Sequence, residues 1–403
     1  MSSPLRTVLC GIGGYGEWYL GNLLDRQASP VSFAGFVDPA PERSTFFKRL
    51  RASGMPVFAT LEEFYARDRA ELAILAAPIQ FHCPLMLCAL EHGSHVLCEK
   101  PLCATVQEAH RMLEAQRRAV RTVTIGYQGS FLASTQRLKA DIMAGVWGRP
   151  VRLKCLVRWP RSRAYYLRNA WAGRIKDSQG RWVLDSPVNN ATSHFLHHMF
   201  YLLGDAPARS AAPLRVEAGL YRVHNIENYD TAFLRCAVVG GAEVFFVVSH
   251  AGIETHGPSF EFVFEKGTVR HDAPDGEIVG MHADGTRRSY GKGTLQGIEK
   301  VSATMAAIEG NRESLCGIEA AMSHILCMNG AQESGAPVAD FPRELVGEVE
   351  KKGEHWLEVA GLDDLLVQAY RVAALPYSSA AAWIRPARTI ELTGYASFPS
   401  GNR

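Results

Sequence analysis

Two spacings of apolar residues divide this chain. Up to about residue 125, short apolar runs alternate with stretches whose apolar residues recur every three or four positions. The runs 6–10, 31–37, 72–76, 95–98 and 122–125 have strand length and are rich in Val, Ile and Leu. Between them, 14–26, 42–52, 84–92 and 105–120 have helical spacing. In the first of these, Tyr15, Trp18, Tyr19 and Leu23 fall on one helix face. Strand and helix in alternation predict a parallel sheet, because parallel neighbours need a long crossover between them.

From about residue 150 the pattern changes. The segments 151–159, 214–223, 229–238, 243–250 and 259–264 are rich in β-branched and aromatic residues, and turn signals such as Gly240-Gly241 separate them. Few helices intervene, so these strands predict an open, predominantly antiparallel sheet. One clear helix interrupts them at 187–203, with Ser186 at its N-cap, Pro187 in its first turn and Gly204 past its end. A further stretch, 302–334, has helical character. The expected fold is α/β: a Rossmann-type domain over 1–127, then an α+β domain over 128–403 with a C-terminal extension from about 340.

Composition narrows the function. The chain has 403 residues, 47% hydrophobic and 21% charged, so it can build two sizeable cores. Its 43 basic and 41 acidic residues leave a formal charge of +2, which excludes a strong electrostatic footprint for nucleic acid or an anionic membrane. Nine cysteines show no CxxC spacing, and several lie inside apolar runs, as Cys10 and Cys98 do. They read as reduced, buried thiols of a cytoplasmic protein, with no metal site expected. No signal peptide and no membrane-spanning run is expected.

The first strand runs into Gly11-Ile12-Gly13-Gly14-Tyr15-Gly16 and then a helix. Gly11 makes the tight turn, Gly13 lets backbone approach a pyrophosphate, and Gly16 lets helix pack on strand. Gly14 and Tyr15 open the helix, whose free N–H groups suit phosphate oxygens. Asp38 ends the second strand, 22 residues beyond Gly16, where an acid binds ribose hydroxyls. That acid favours NAD as cofactor, and nearby Arg43 keeps NADP open as the alternative.

A second motif, Glu99-Lys100-Pro101, follows the fourth of these runs, at the carboxyl edge where open parallel sheets bind ligands. The stretch Ala77-Pro78-Ile79-Gln80-Phe81-His82, the stretch from Gly93 to Thr105, and Gly126-Tyr127-Gln128 resemble segments of the glucose-fructose oxidoreductase/inositol dehydrogenase/rhizopine catabolism (Gfo/Idh/MocA) family. The resemblance covers the N-terminal domain well and the second domain more thinly. It implies cofactor contacts from Ala77, Pro78, His82, Glu99, Lys100, Pro101 and Gln128, and a cis Lys100–Pro101 bond that aims the lysine at the nicotinamide.

The family also carries an Asp-x-x-x-His pair on a second-domain helix, with another Asp three residues later. Here Asn190 stands for the first aspartate, His194 for the histidine and His197 for the last aspartate. Asn190 and His194, four apart, are expected to share a helix face. An amide cannot take a proton, so Asn190 is expected to orient, and His194 to relay a hydroxyl proton. His194 and His198 have ligand spacing, but no carboxylate on this helix completes a metal site. For His197 and His198 packing is the expected role. An aromatic and basic cluster, including Arg158, Arg161, Tyr165, Tyr166, Arg168 and Trp171, follows the first second-domain strand and is either a solvated loop or a carbohydrate surface.

The resemblance implies an NAD(P)-dependent oxidoreductase acting on a secondary hydroxyl of a sugar, polyol or glycoside. Lys100, His194 and Asn190 are the catalytic candidates, and Arg158, Tyr165 and Trp171 join them as substrate contacts. Two alternatives stay open: a glycosidase that retains NAD through a transient oxidation, and a dinucleotide-sensing regulator. A homodimer or homotetramer binding a small carbohydrate is the expected assembly.

Overall fold

The apolar runs of the first third form a parallel sheet in the computed structural model, which describes residues 4–26, 29–272, 276–293, 297–378, 381 and 383–401. Its strands are β1 (Leu5–Cys10), β2 (Val31–Val37), β3 (Val57–Phe58), β4 (Leu72–Leu75), β5 (His95–Cys98) and β6 (Val123–Ile125). They lie in the order β3-β2-β1-β4-β5-β6, all parallel. All four residues of β4 are buried, as a sheet covered on both faces requires. The chain order reverses direction between β1 and β4, and the crevice at such a switch point is where these sheets take ligands.

Two local features differ from the sequence pattern. The helix expected over 42–52 is broken into a short turn, Pro41–Arg43, and a helix, Phe47–Ala52. Between them the Ser44 hydroxyl donates to the Ile12 carbonyl at 2.8 Å, a tertiary bond that holds Ser44 out of the helix. Strand β3 and the helix Leu61–Tyr65 were not expected. Thr60 caps that helix by accepting the Glu63 N–H at 3.2 Å.

The chain divides into two compact units, and both are discontinuous. The first comprises Met1–Cys103, Gln107–Phe131 and Gln296–Ala321. The late segment, which the sequence reading placed in the second domain, brings the helix Ile298–Glu309. Its Val301 and Met305 are buried with Leu9, Ile12, Tyr19, Leu20 and Leu97 in the first unit's core. Each such side chain contributes about 1.5–3 kcal/mol by burial.

The second unit holds a ten-stranded open sheet. Its strands are β7 (Pro150–Arg158), β8 (Pro213–Arg222), β9 (Thr231–Val238), β10 (Glu243–Ser249), β11 (His256–Phe264), β12 (Gly267–Asp272), β13 (Glu277–His282), β14 (Arg287–Lys292), β15 (Ala339–Asp340) and, from the C-terminal region, β18 (Ile390–Glu391). β16 (Val346–Lys351) and β17 (Glu354–Val359) pair separately as a hairpin. The main path runs β14-β13-β12-β11-β7-β10-β9-β8-β15, and β18 adds to β8. Among the described residues of this sheet, only β7–β10 and β8–β15 are parallel pairs. Residues beyond 340 are integral here: Leu362, Leu366 and Ala369 of the helix Leu362–Val372 pack with Phe233, Phe245 and Val247 of the sheet.

The helix expected over 187–203 is two pieces. Pro187–Ala191 forms a wide π-helical turn, and Ser193–Leu202 is α-helical. Thr192 makes the break: both its N–H and its hydroxyl donate to the Pro187 carbonyl, at 2.9 and 2.7 Å. Ser186 caps the turn as expected, accepting the Asn189 N–H at 3.1 Å. Asn190 and His194 therefore do not sit on one continuous α-helix, and the simple four-residue face does not apply to them.

Candidate active site

The glycine turn contains two kinds of glycine. Gly11 has φ +84°, and a Cβ there would lie 2.8 Å from the Ala76 carbonyl. A Cβ on Gly16 would lie 2.0 Å from the Gly11 carbonyl oxygen. The chain's own packing demands these two. A Cβ on Gly13 or Gly14 would meet nothing within 4 Å, so their bareness leaves open space over the turn. The helix Tyr15–Leu23 starts there with no side-chain cap. Asp38, half-buried at the end of β2, accepts the Ile12 N–H at 3.0 Å and the Ala40 N–H at 2.9 Å, which ties it to the turn itself.

Ala77 and Pro78 follow β4, and His82 begins the next helix, His82–Glu91. The His82 ring is buried, with one nitrogen 2.8 Å from the Pro101 carbonyl and the other 2.9 Å from that of Ala77. It ties the loop after β4 to the turn after β5. Burial lowers its pKa, partly offset by those carbonyls.

Lys100 follows β5, half-buried, and its bond to Pro101 is cis. Glu99 beside it is buried, 5% exposed, and accepts the Tyr19 hydroxyl at 2.7 Å and the Lys100 N–H at 3.3 Å. Its first oxygen also pairs with the ammonium of Lys300, which is 0% exposed. Lys300 donates to the Tyr15 hydroxyl at 3.2 Å and lies over the rings of Tyr15, Tyr19 and Trp18 at 4.4, 4.9 and 5.1 Å. Burial pulls the lysine below its usual pKa, and Glu99 opposes that pull. Gln128 reaches the Tyr15 hydroxyl at 2.9 Å. Sequence reasoning passed over Lys300; its one signal was a lysine amid buried helical positions.

In the second unit, Asn190 and His194 are half-buried and His197 is buried. Burial first, then neighbouring imidazoles, drives the His197 pKa well down, and the ring stacks on Tyr201 at 5.8 Å. His198 packs against Phe260 and Phe262. Among the described residues, no group of three His, Cys, Asp or Glu is placed to hold a metal ion. The amide of Asn190 donates to Asp185 at 2.7 Å, and Asp185, 3% exposed, also accepts the Gly173 N–H at 2.7 Å. Asp185 is a second residue that sequence reasoning missed.

The structure splits the aromatic and basic cluster. Arg158 pairs with Asp363 at 2.5 Å. Tyr165 lies between the guanidinium groups of Arg161 and Arg168, 4.8 and 3.5 Å from its ring centre, and Arg168 is 5.5 Å from the Trp171 ring. Burial first and then the charge of Asp185 raise the Tyr165 pKa, against the pull of Arg168 and Arg161.

Residues 5–127 match the Gfo/Idh/MocA profile, an oxidoreductase family with an NAD-binding Rossmann fold. The N-terminal domain belongs to that family. The chain is 27% identical over 161 residues to inositol 2-dehydrogenase of Corynebacterium glutamicum strain R, covering 40% of this chain and 47% of that protein. It is 32% identical over 157 residues to inositol 2-dehydrogenase 4 of Saccharopolyspora erythraea, covering 38% and 45%. It thus spans about half the length of the curated relatives it matches. The fold extends further. The WlbA dehydrogenase of Bordetella pertussis, solved with NADH and UDP-GlcNAcA, aligns with TM-score 0.67 and 22% identity over 83% of this chain and 97% of that one. An Agrobacterium radiobacter oxidoreductase, solved with NAD+, L-tartaric acid and magnesium, aligns with TM-score 0.68 and 16% identity over the same shares.

The Gfo/Idh/MocA domain fits its dinucleotide on its own residues. The open space over Gly13 and Gly14 and the uncapped helix N-terminus match a pyrophosphate. Among the described residues, no helix is long and apolar enough to cross a membrane. All nine cysteines are buried.

Proposed function

We propose that the protein is an NAD(P)-dependent oxidoreductase that oxidises a secondary hydroxyl of a sugar, polyol or glycoside. The observation that carries this reading is Lys100: it follows β5 at the carboxyl edge of the NAD-binding sheet, with Glu99 hydrogen-bonded to its backbone. Gly13, Gly14, the N-terminus of Tyr15–Leu23 and Asp38 hold NAD, with Asp38 selecting it over NADP. NAD supplies the hydride acceptor when bound. Lys100 donates a hydrogen bond to the reacting oxygen and stabilises the negative charge that develops there. His194 takes the hydroxyl proton, since imidazole titrates near neutrality. Asn190 orients the substrate as a hydrogen-bond partner and takes no proton. Tyr165 and Trp171 contribute through the Arg161 and Arg168 guanidinium groups held over their rings, which donate to sugar hydroxyls. Arg158, held by Asp363, is the weakest of the substrate contacts. The chain acts as a homo-oligomer in the cytoplasm.

The Lys100→Met variant tests this. It should bind NAD with unchanged affinity, by fluorescence titration, and lose about 100-fold or more in turnover. Oxidation of a hexose or cyclitol panel at wild-type rate by this variant would refute the role of Lys100. Growth of NADH absorbance with the wild type separates this reading from a redox-neutral glycosidase.

A further inference from the structure

Residues 158–168 carry four arginines, and the fold neutralises two of them. Arg158 pairs with Asp363 at 2.5 Å, and Arg163 pairs with Glu348 at 2.9 Å. Among the described residues, no carboxylate pairs with Arg161 or Arg168, and both guanidinium groups lie over the one Tyr165 ring. Like charges held beside one ring repel each other. Arg161 is also half-buried, so its cation has given up part of its hydration. The place lies beside the helix of His194: Trp159, two residues before Arg161, packs edge-on against Phe195 at 5.2 Å.

The backbone of Arg161 is clamped from both sides. Its N–H donates to the His250 carbonyl at 2.9 Å, and its carbonyl lies 3.0 Å from Nε2 of His224. The other nitrogen of that ring is 2.8 Å from the Asp230 carboxylate. The acids near this cluster are engaged elsewhere: Asp230 with His224 and the Val223 N–H, Asp185 with Asn190 and the Gly173 N–H. At the other end of the arginine, Nε is buried with no hydrogen-bond partner among the described residues, and so is the Tyr166 hydroxyl. Both groups flank Tyr165, whose ring centre is 4.8 Å from the Arg161 guanidinium carbon and 5.1 Å from the Tyr166 ring centre. Buried polar groups are almost always hydrogen-bonded, so two of them on one ring point to an acceptor from outside the chain.

Resting on the oxidoreductase reading above, we propose that the sugar carries an oxyanion group, as a uronic acid or a sugar phosphate does, and that Arg161 binds it. A guanidinium presents its N–H donors in a plane that suits carboxylate or phosphate oxygens, and such charge-assisted bonds are the strong ones. The Tyr166 hydroxyl donates to the same group, and the charge of Arg168 adds to the attraction. A neutral hydroxyl takes a weaker bond from these donors, so the cluster sets the preference between sugars.

The test pairs binding with turnover. Glucuronate and glucose 6-phosphate are the anionic probes, and glucose and myo-inositol the neutral ones. Calorimetric titration of the NAD-loaded wild type should show one anion binding about tenfold or more tighter than either neutral sugar, and which anion it is tells carboxylate from phosphate. Arg161→Gln should lower affinity and kcat/KM about 100-fold for that anion, and no more than about tenfold for the neutral sugars. Arg163→Gln, which removes an arginine already paired with Glu348, should leave the preference within about threefold. If Arg161→Gln lowers the urea midpoint, Arg161→Lys carries the same comparison: it keeps the charge, loses the planar donors and should cost the anion about tenfold. Failure of both anions to bind the wild type, neutral sugars bound as tightly as the anions, or a preference that survives loss of Arg161 overturns the inference. An anion bound through Arg161 but never oxidised keeps the site and fails the oxidoreductase reading. A neutral sugar oxidised by a wild type with no anion preference does the reverse.

Discussion

Replacing Lys300 by Met probes how the Glu99-Lys100-Pro101 turn is held. Met keeps much of the aliphatic stem, so little cavity opens, while the charge disappears from a site that is 0% exposed. Glu99, 5% exposed, is left without its cation. Breaking a buried pair from one side costs about 3–5 kcal/mol. The Tyr19 hydroxyl at 2.7 Å and the Lys100 N–H still reach the carboxylate, which places the loss near the lower figure, about 3 kcal/mol. Loss of the cation from among Tyr15, Trp18 and Tyr19 adds about 0.5–2 kcal/mol. Hydrogen exchange read by mass spectrometry over Ile298–Glu309 and β5 is the assay. A combined loss of about 3.5–5 kcal/mol speeds exchange through the shared opening by roughly 400- to 5,000-fold.

Adding Glu99→Gln to Lys300→Met should recover part of the loss, because the second substitution removes the stranded charge. Exchange rates within about threefold of wild type, with no recovery in the double variant, would refute the reasoning.

Three further variants test other parts of the structure. Gly13→Ala should fold with stability within about 0.5 kcal/mol of wild type but lose NAD affinity in a fluorescence titration, since its Cβ meets no protein atom and fills the space over the turn. Gly16→Ala should instead destabilise the fold in urea, because its Cβ would lie 2.0 Å from the Gly11 oxygen. Burial, with Arg161 adding to it, lowers the His250 pKa from 6.5 to about 3. Its neutral form keeps full stability above pH 6.5, and that stability should fall by about 1.4 kcal/mol per pH unit as pH drops towards the folded value. Urea titrations of wild type and His250→Gln should diverge in that window; parallel curves would show that His250 is not buried neutral.

The legible parts of this fold were local. Strands β1, β2, β4, β5 and β6 were readable because residues buried on both faces leave continuous apolar runs. Ser186 was readable as a cap because its partner is three residues away. Strands β13 and β14 were not, since Glu277, Arg287 and Arg288 leave them exposed and polar, with little periodicity to detect. The helix break at Thr192 escaped because it depends on a threonine side chain returning to Pro187, a choice that α-helical spacing does not reveal.

The amino-acid sequence by itself determined the dinucleotide fold, its glycine turn and the placement of Lys100 after β5. Each follows from residues near one another in the chain, where period, glycine and strand length act directly. Tertiary structure alone decided what surrounds them. Lys300 meets Glu99 across 201 positions, drawn in by a helix that joins the first unit's core. Asp185 meets Asn190 only because a π-helical turn folds the chain back by one hydrogen bond. Both pairings bury a charge, and a buried charge persists only where the fold brings its partner to it.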